Sequence, residues 1–380
     1  MKIQMRKFII FIIIIILFCF NIEINVFSNE LNNSYLNNLH IKEIDSFINN
    51  LEIDISGISF NNFIQNILKG NIDISFQSII SSISNIIFKE IHSVFSIFVS
   101  MFMIMILSSI LKNITSSFCS RSVGEIGFYV CYMVMILSIS DIFYTGANIA
   151  IETVNNMGNF LNITIPVFIT ISISTGNIGE GIFMAPFIAG ISNFIINFIS
   201  TLLIPCTITI STFDIINYIS ERELLKSLIE FFKKAISLML KFTALFFASI
   251  ISLHKLALPV FTGVLGKSAK AIVSSIPIIG DVMQSTIETG IAFMNSLKSG
   301  ISLGVIIFII IICSIPLIKL FLIFIIYKFA GIIAEPFCDK RLIGCMSCAA
   351  DFTFIIMSSV ITSTIIFIFS IIMLVSSNIL

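Results

Sequence analysis

The sequence predicts an all-α, polytopic integral membrane protein, and three observations carry that reading. Of the 380 residues, 57% are hydrophobic and only 11% are charged, whereas an ordinary soluble domain carries about 25% charge. Mean hydropathy is +1.09. The apolar residues also gather into runs, most of them long enough to cross about 30 Å of hydrocarbon as helices. With 21 basic and 21 acidic residues, the chain cannot dress a soluble globule of this size. This balance excludes a cytosolic enzyme and a disordered scaffold, and the zero net charge speaks against nucleic acid as a partner. The expected architecture is about six to seven transmembrane or re-entrant helices, with amphipathic helices at the interface.

Residues 1–28 read as a secretory signal peptide. Lys2, Arg6 and Lys7 form a basic start, Phe8 to Phe20 an apolar core, and Val26-Phe27-Ser28 a cleavage site before Asn29. An uncleaved anchor is the alternative. Residues 29–90 form an extracytoplasmic amphipathic segment. Its apolar positions, such as Ile44, Phe47, Ile48 and Leu51, suit short helices lying on the membrane surface.

Residues 91–210 form a membrane bundle with segments at about 91–111, 127–145, 159–174 and 181–210. The third is short and holds Pro166. The fourth holds Pro186 and Pro205, and is either a kinked span or a re-entrant pair. Residues 211–234 end in an amphipathic interfacial helix. Ser220 to Glu223 offers a capping box, and Leu224, Leu225, Leu228, Phe231 and Phe232 form its apolar stripe. Glu223, Lys226, Glu230, Lys233 and Lys234 occupy the other side. Residues 235–380 form the C-terminal membrane region. It comprises a span at 235–260, an amphipathic insert at 264–299 broken at Pro277 and Gly280, and a final hairpin of spans at 301–327 and 352–376.

Charge placement leaves two topologies. Lys112 and Arg121 suit a cytoplasmic loop, and the loop at 146–158, with Glu152 and no Lys or Arg, suits the outside. If both the third and fourth segments cross, Arg222, Lys226, Lys233 and Lys234 fall outside, against the positive-inside tendency. If one is re-entrant, they fall inside, together with Lys328, Lys340 and Arg341. Trp is absent, which leaves Tyr129, Tyr132, Tyr144, Tyr218 and Tyr327 as candidate interface anchors.

Chemical motifs are scarce. None of His40, His92 and His254 sits in an H-E-x-x-H pattern. Gly266-Lys267-Ser268 lacks the earlier glycine of a phosphate-binding loop. Ile279-Gly280-Asp281 lacks the first glycine of an intramembrane aspartyl protease motif. Cys338, Cys345 and Cys348 cluster, but a metal site needs a fourth ligand. No catalytic, cofactor-binding or metal-binding residue is assigned, and the chain is expected not to be an enzyme. Polar groups within spans are the more informative signal: Asp141, Lys241 and Lys319 either sit near the interface or mark a polar seam along a conduit or between subunits. Small residues at four-residue spacing offer close packing faces, namely Gly181, Ala185 and Ala189, then Ala244, Ala248 and Ser252, then Gly300 and Gly304.

The C-terminal third has a particular texture. It reads Gly266-Lys-Ser-Ala-Lys-Ala, Ser275-Ile-Pro-Ile-Ile-Gly-Asp281, Cys313-Ser-Ile-Pro316, Ala330-Gly-Ile-Ile-Ala-Glu-Pro336 and Asp339-Lys-Arg341. This resembles the stage III sporulation protein AE family of endospore-forming bacteria. The resemblance implies a structural membrane component of a secretion-like feeding channel between mother cell and forespore, required after engulfment. It implies as partners the other proteins of the set AA to AH, including an ATPase supplied in trans. It implies a location in the mother-cell membrane surrounding the forespore, and it transfers no catalytic residue. Within it, Gly280 and Asp281 and the loop of Glu335, Pro336, Asp339, Lys340 and Arg341 are candidate partner contacts. The loop charges can dock a partner or pair locally. A solute permease is the alternative function.

Overall fold

The computed structural model describes residues 41–50, 91, 95–96, 98–107, 109–110, 121–174, 185–218, 225–273, 280–336 and 338–376. Every regular element among them is helical. They are α1 (Ile41–Asn50), α2 (Phe98–Leu107), α3 (Arg121–Ser174), α4 (Ala185–Phe198), α5 (Ile204–Asn217), α6 (Lys226–Val273), α7 (Gly280–Ala334) and α8 (Lys340–Ser376). The signal peptide and most of residues 29–90 lie outside the described residues.

Among the described residues, four stretches are long and apolar enough to cross a membrane: Tyr132–Ser174, Ala185–Asn217, Gly300–Ala334 and Lys340–Leu374. The first corrects the sequence expectation. The loop expected at 146–158 is helix, so the second and third expected segments form one element, α3. Its hydropathy dips in the middle because one face is polar, yet no proline interrupts it there. Its other face keeps a strict alternation of threes and fours through Ala147, Ala150, Val154, Met157, Leu161, Thr164, Phe168 and Ile171, all buried. That is the seam of a coiled coil, and it holds the helix against its neighbours.

The second stretch runs without a break from α4 to α5 through a π turn at Ile199–Leu203. The Ile204 N–H donates to the Ile199 carbonyl, five residues back. Pro205 explains the widened turn, because its ring cannot accept a regular α turn ahead of it. α6 likewise runs on from residues 226–234 into the expected fifth span. The apolar stripe of the expected interfacial helix, including Leu228, Phe231 and Phe232, is exposed.

α8 is the central helix and packs against α3, α4, α5, α6 and α7. Contacts fix the directions. Thr364 Oγ1 lies 3.9 Å from Met157 Sδ, and the Phe160 and Phe367 ring centroids are 6.1 Å apart, so α8 and α3 run parallel. Tyr327 Oη donates to the Ile139 carbonyl at 2.8 Å, and Asn193 Nδ2 to Asn162 Oδ1 at 2.6 Å, so α7 and the α4–α5 helix run the other way. One end of the bundle therefore gathers the start of α3, the end of α5, the start of α6 and the α7–α8 turn. This is the charged end. α2 approaches it, with Cys338 Sγ 3.7 Å from the Met105 carbonyl. α1 packs its apolar face on α3, with Phe47 against Phe160 at 5.7 Å.

Apolar burial drives helix association weakly where lipid is the alternative, so close approach and polar contacts matter more. Ala185, Ala189, Gly300 and Gly304 are buried, whereas Ala244, Ala248 and Ser252 are exposed and Gly181 lies outside the described residues. A side chain at Gly344 would fall inside the Tyr218 ring, so only glycine lets α8 pass the end of α5. Many interior hydroxyls bond within their own helices, as in Thr153, Thr164 and Thr353, each bonded to the carbonyl four residues back, whereas the buried Ser211 and Ser363 hydroxyls have no partner among the described residues. Ser192 and Ser370 bond between helices at 2.7 Å. Two of the five tyrosines expected at the interface, Tyr132 and Tyr327, are instead fully buried. Their hydroxyls reach partners on other helices, which suits an amphipathic ring to the core.

Candidate functional site: a polar latch at the charged end

Asp214 is the one charged residue between Ala185 and Asn217. Its side chain is 8% exposed, and Lys233 Nζ from α6 lies 2.7 Å from its Oδ2. The same ammonium stands 4.4 Å from the centroid of the Phe352 ring on α8, a cation–π contact. One turn on from Asp214, Asn217 Oδ1 accepts the Leu225 N–H at 2.9 Å, a donor that the start of a helix otherwise leaves unpaired. Cys345 Sγ sits 3.3 Å from Tyr132 Oη on α3 and 3.8 Å from the Ile215 carbonyl on α5. Four helices thus meet at one cluster: α3, α5, α6 and α8.

A second pair ties the hairpin. Lys328 Nζ of α7 lies 2.9 Å from Asp351 Oδ1 and 3.3 Å from Ser347 Oγ of α8. At the turn itself, Asp339 caps α8. Its Oδ1 accepts the Arg341 N–H at 3.1 Å and lies 3.5 Å from Arg341 Nε. A carboxylate there also meets the positive end of the helix dipole.

The sequence-selected residues fall in separate places. Asp339 and Arg341 pair locally, the second of the two readings of that loop, while Glu335, Pro336 and Lys340 are exposed beside them. Gly280 and Asp281 open α7. Asp141 is exposed on α3, and its carbonyl accepts the Thr145 hydroxyl at 2.9 Å. Lys241 is exposed on α6. Lys319 is half-buried two residues beyond Leu317, midway along Gly300–Ala334, and so stands deeper than a snorkelling position near a helix end. The thiols of Cys338 and Cys345 turn to different partners. Among the described residues no group of three or more His, Cys, Asp or Glu is placed to hold a metal ion.

Sequence reasoning missed Asp214, Asn217 and Asp351 as partners. The signal for Asp214 was available: a lone acid in a 33-residue apolar helix requires a cation from elsewhere. Lys233 was assigned to the outer, polar side of its helix, and the structure turns it inward.

The arrangement spends its donors and acceptors on joining helices. It defines a multi-span, all-α membrane protein whose charged groups clamp one end of a bundle. Comparison with known proteins gives the family. The family model described as stage III sporulation protein AE matches residues 58–378, and the chain belongs to that family. A relative, Stage III sporulation protein AE of Bacillus subtilis (strain 168), is 22% identical over 343 residues, covering 89% of this chain and 83% of the relative. No solved structure matches.

Proposed function

We propose that this chain is a structural membrane component of a secretion-like channel between mother cell and forespore, needed for sporulation after engulfment. The observation that carries the reading is the family match over residues 58–378. The fold supports it, because a channel base needs several long spans, close packing and charge pairs that hold helices together. The chain is not an enzyme in this reading. It sits in the mother-cell membrane around the forespore and works with the other proteins of the AA to AH set, one of them an ATPase supplied in trans.

The charged end faces the mother-cell cytoplasm. Lys226, Lys233, Lys234, Lys328, Lys340 and Arg341 gather there, as the positive-inside tendency requires. The exposed loop residues Glu335, Pro336 and Lys340 then lie where a cytoplasmic partner can reach them. A tagged full-length chain purified from sporulating cells should bring the sibling membrane proteins with it. Recovery of the tagged chain alone, after gentle solubilisation, would sink the proposal.

A further inference from the structure

We infer that the polar face of α3 faces water inside the thickness of the membrane, as one wall of an aqueous path. The face consists of Asn148, Glu152, Asn155, Asn159 and Asn162, spaced four, three, four and three, and all five are exposed. It lies opposite the buried seam from Ala147 to Leu161. Asn162 is tied to Asn193 of α4 at 2.6 Å. Asn197 and Thr201, exposed at four-residue steps beyond Asn193, carry the polar surface onto the neighbouring helix.

The depth of this face follows from contacts on either side of it. A side chain at Gly146 would meet Leu320 at 3.4 Å, three residues from the middle of Gly300–Ala334 toward the charged end. At the other limit, Met157 touches Thr364, seven residues past the middle of Lys340–Leu374 toward the opposite end. Gly158 faces Ile196, five residues from the middle of Ala185–Asn217 toward that same end. Asn148, Glu152 and Asn155 lie between these limits, level with the middle of the three other candidate spans. Hydrocarbon offers an amide or a carboxylate no hydrogen bonds, so a row of them at this depth requires water or an equally polar surface. Because the row is continuous and rich in amides, with one carboxylate, it suits water and hydrophilic solutes. The inference deepens the channel reading and rests on it for what the path serves; the geometry stands on α3 and its contacts with α4, α7 and α8.

Two native thiols make the test internal. Cys206 is exposed at the same depth, nine residues beyond Asn197 in the α4–α5 helix, and Cys313 is buried in α7. The variants Asn148→Cys and Asn155→Cys, expressed in the sporulating host, would be treated in intact membranes with a membrane-impermeant maleimide, and each cysteine would be read by peptide mapping. The new thiol should be modified while Cys206 and Cys313 stay at background. Modification of Cys206 as well would put the whole level outside the bilayer and overturn the inference. A new thiol as silent as Cys206 would mean a face in lipid or in a sealed contact, and would overturn it too. Neither result bears on recovery of sibling proteins, so failure here is distinguishable from failure of the channel reading.

Discussion

At the scale of single residues, the fold turns on pairs that cross between helices. Asp214 and Lys233 join α5 to α6, and the contact of Lys233 with Phe352 adds α8. A buried ion pair adds little against a well-packed apolar replacement, but removing one partner strands the other. Asp214→Ala should therefore destabilise the protein by about 3 kcal/mol, at the low end for a buried pair because Lys233 still reaches water. Thermal unfolding in detergent reads this directly, and the exchange Asp214→Lys with Lys233→Asp should recover part of the loss. If Asp214→Ala leaves the melting temperature unchanged, the latch is not holding the end of the bundle. These pairs were only half legible in the sequence. A lone acid in an apolar run announces that it needs a cation, but the chain offers several, and only packing selects Lys233. Tyr132 and Tyr327 show the same limit: an amphipathic ring suits an interface and a core equally well, and the partner decides.

At the scale of elements, the sequence was most informative where periodicity and composition agreed. The stretches 301–327 of α7 and 352–376 of α8 are apolar almost throughout and read as spans. α3 was read as two pieces because its average hydropathy falls at 146–158. The averaging hid an amphipathic helix whose buried seam continues unbroken from Ala147 to Ile171. Proline separates the two descriptions. In a helix interior it costs about 3 kcal/mol, whereas an exposed loop accepts it. Asn155→Pro should sharply reduce the folded protein recovered from membranes, and wild-type recovery would restore the loop reading. α6 shows a second limit of pattern reading. Its Leu228, Phe231 and Phe232 stripe marks an apolar face correctly, but a membrane protein can turn such a face outward, and here the lysine of the other face goes inward.

At the scale of the whole molecule, charge and topology come together. The sequence left open whether Lys226, Lys233 and Lys234 share a side with Lys328, Lys340 and Arg341. Fusing the second and third expected segments into α3 brings both groups to one end without a re-entrant turn. Long spans, one clamped end and a polar face at mid-depth together suit a part of a larger membrane assembly. The most direct test of that claim is deletion of the gene in the spore-forming host, with microscopy after engulfment. The account predicts forespores that complete engulfment and then shrink, with spore formation restored by the intact chain. Normal, full-sized spores from the deletion strain would contradict it.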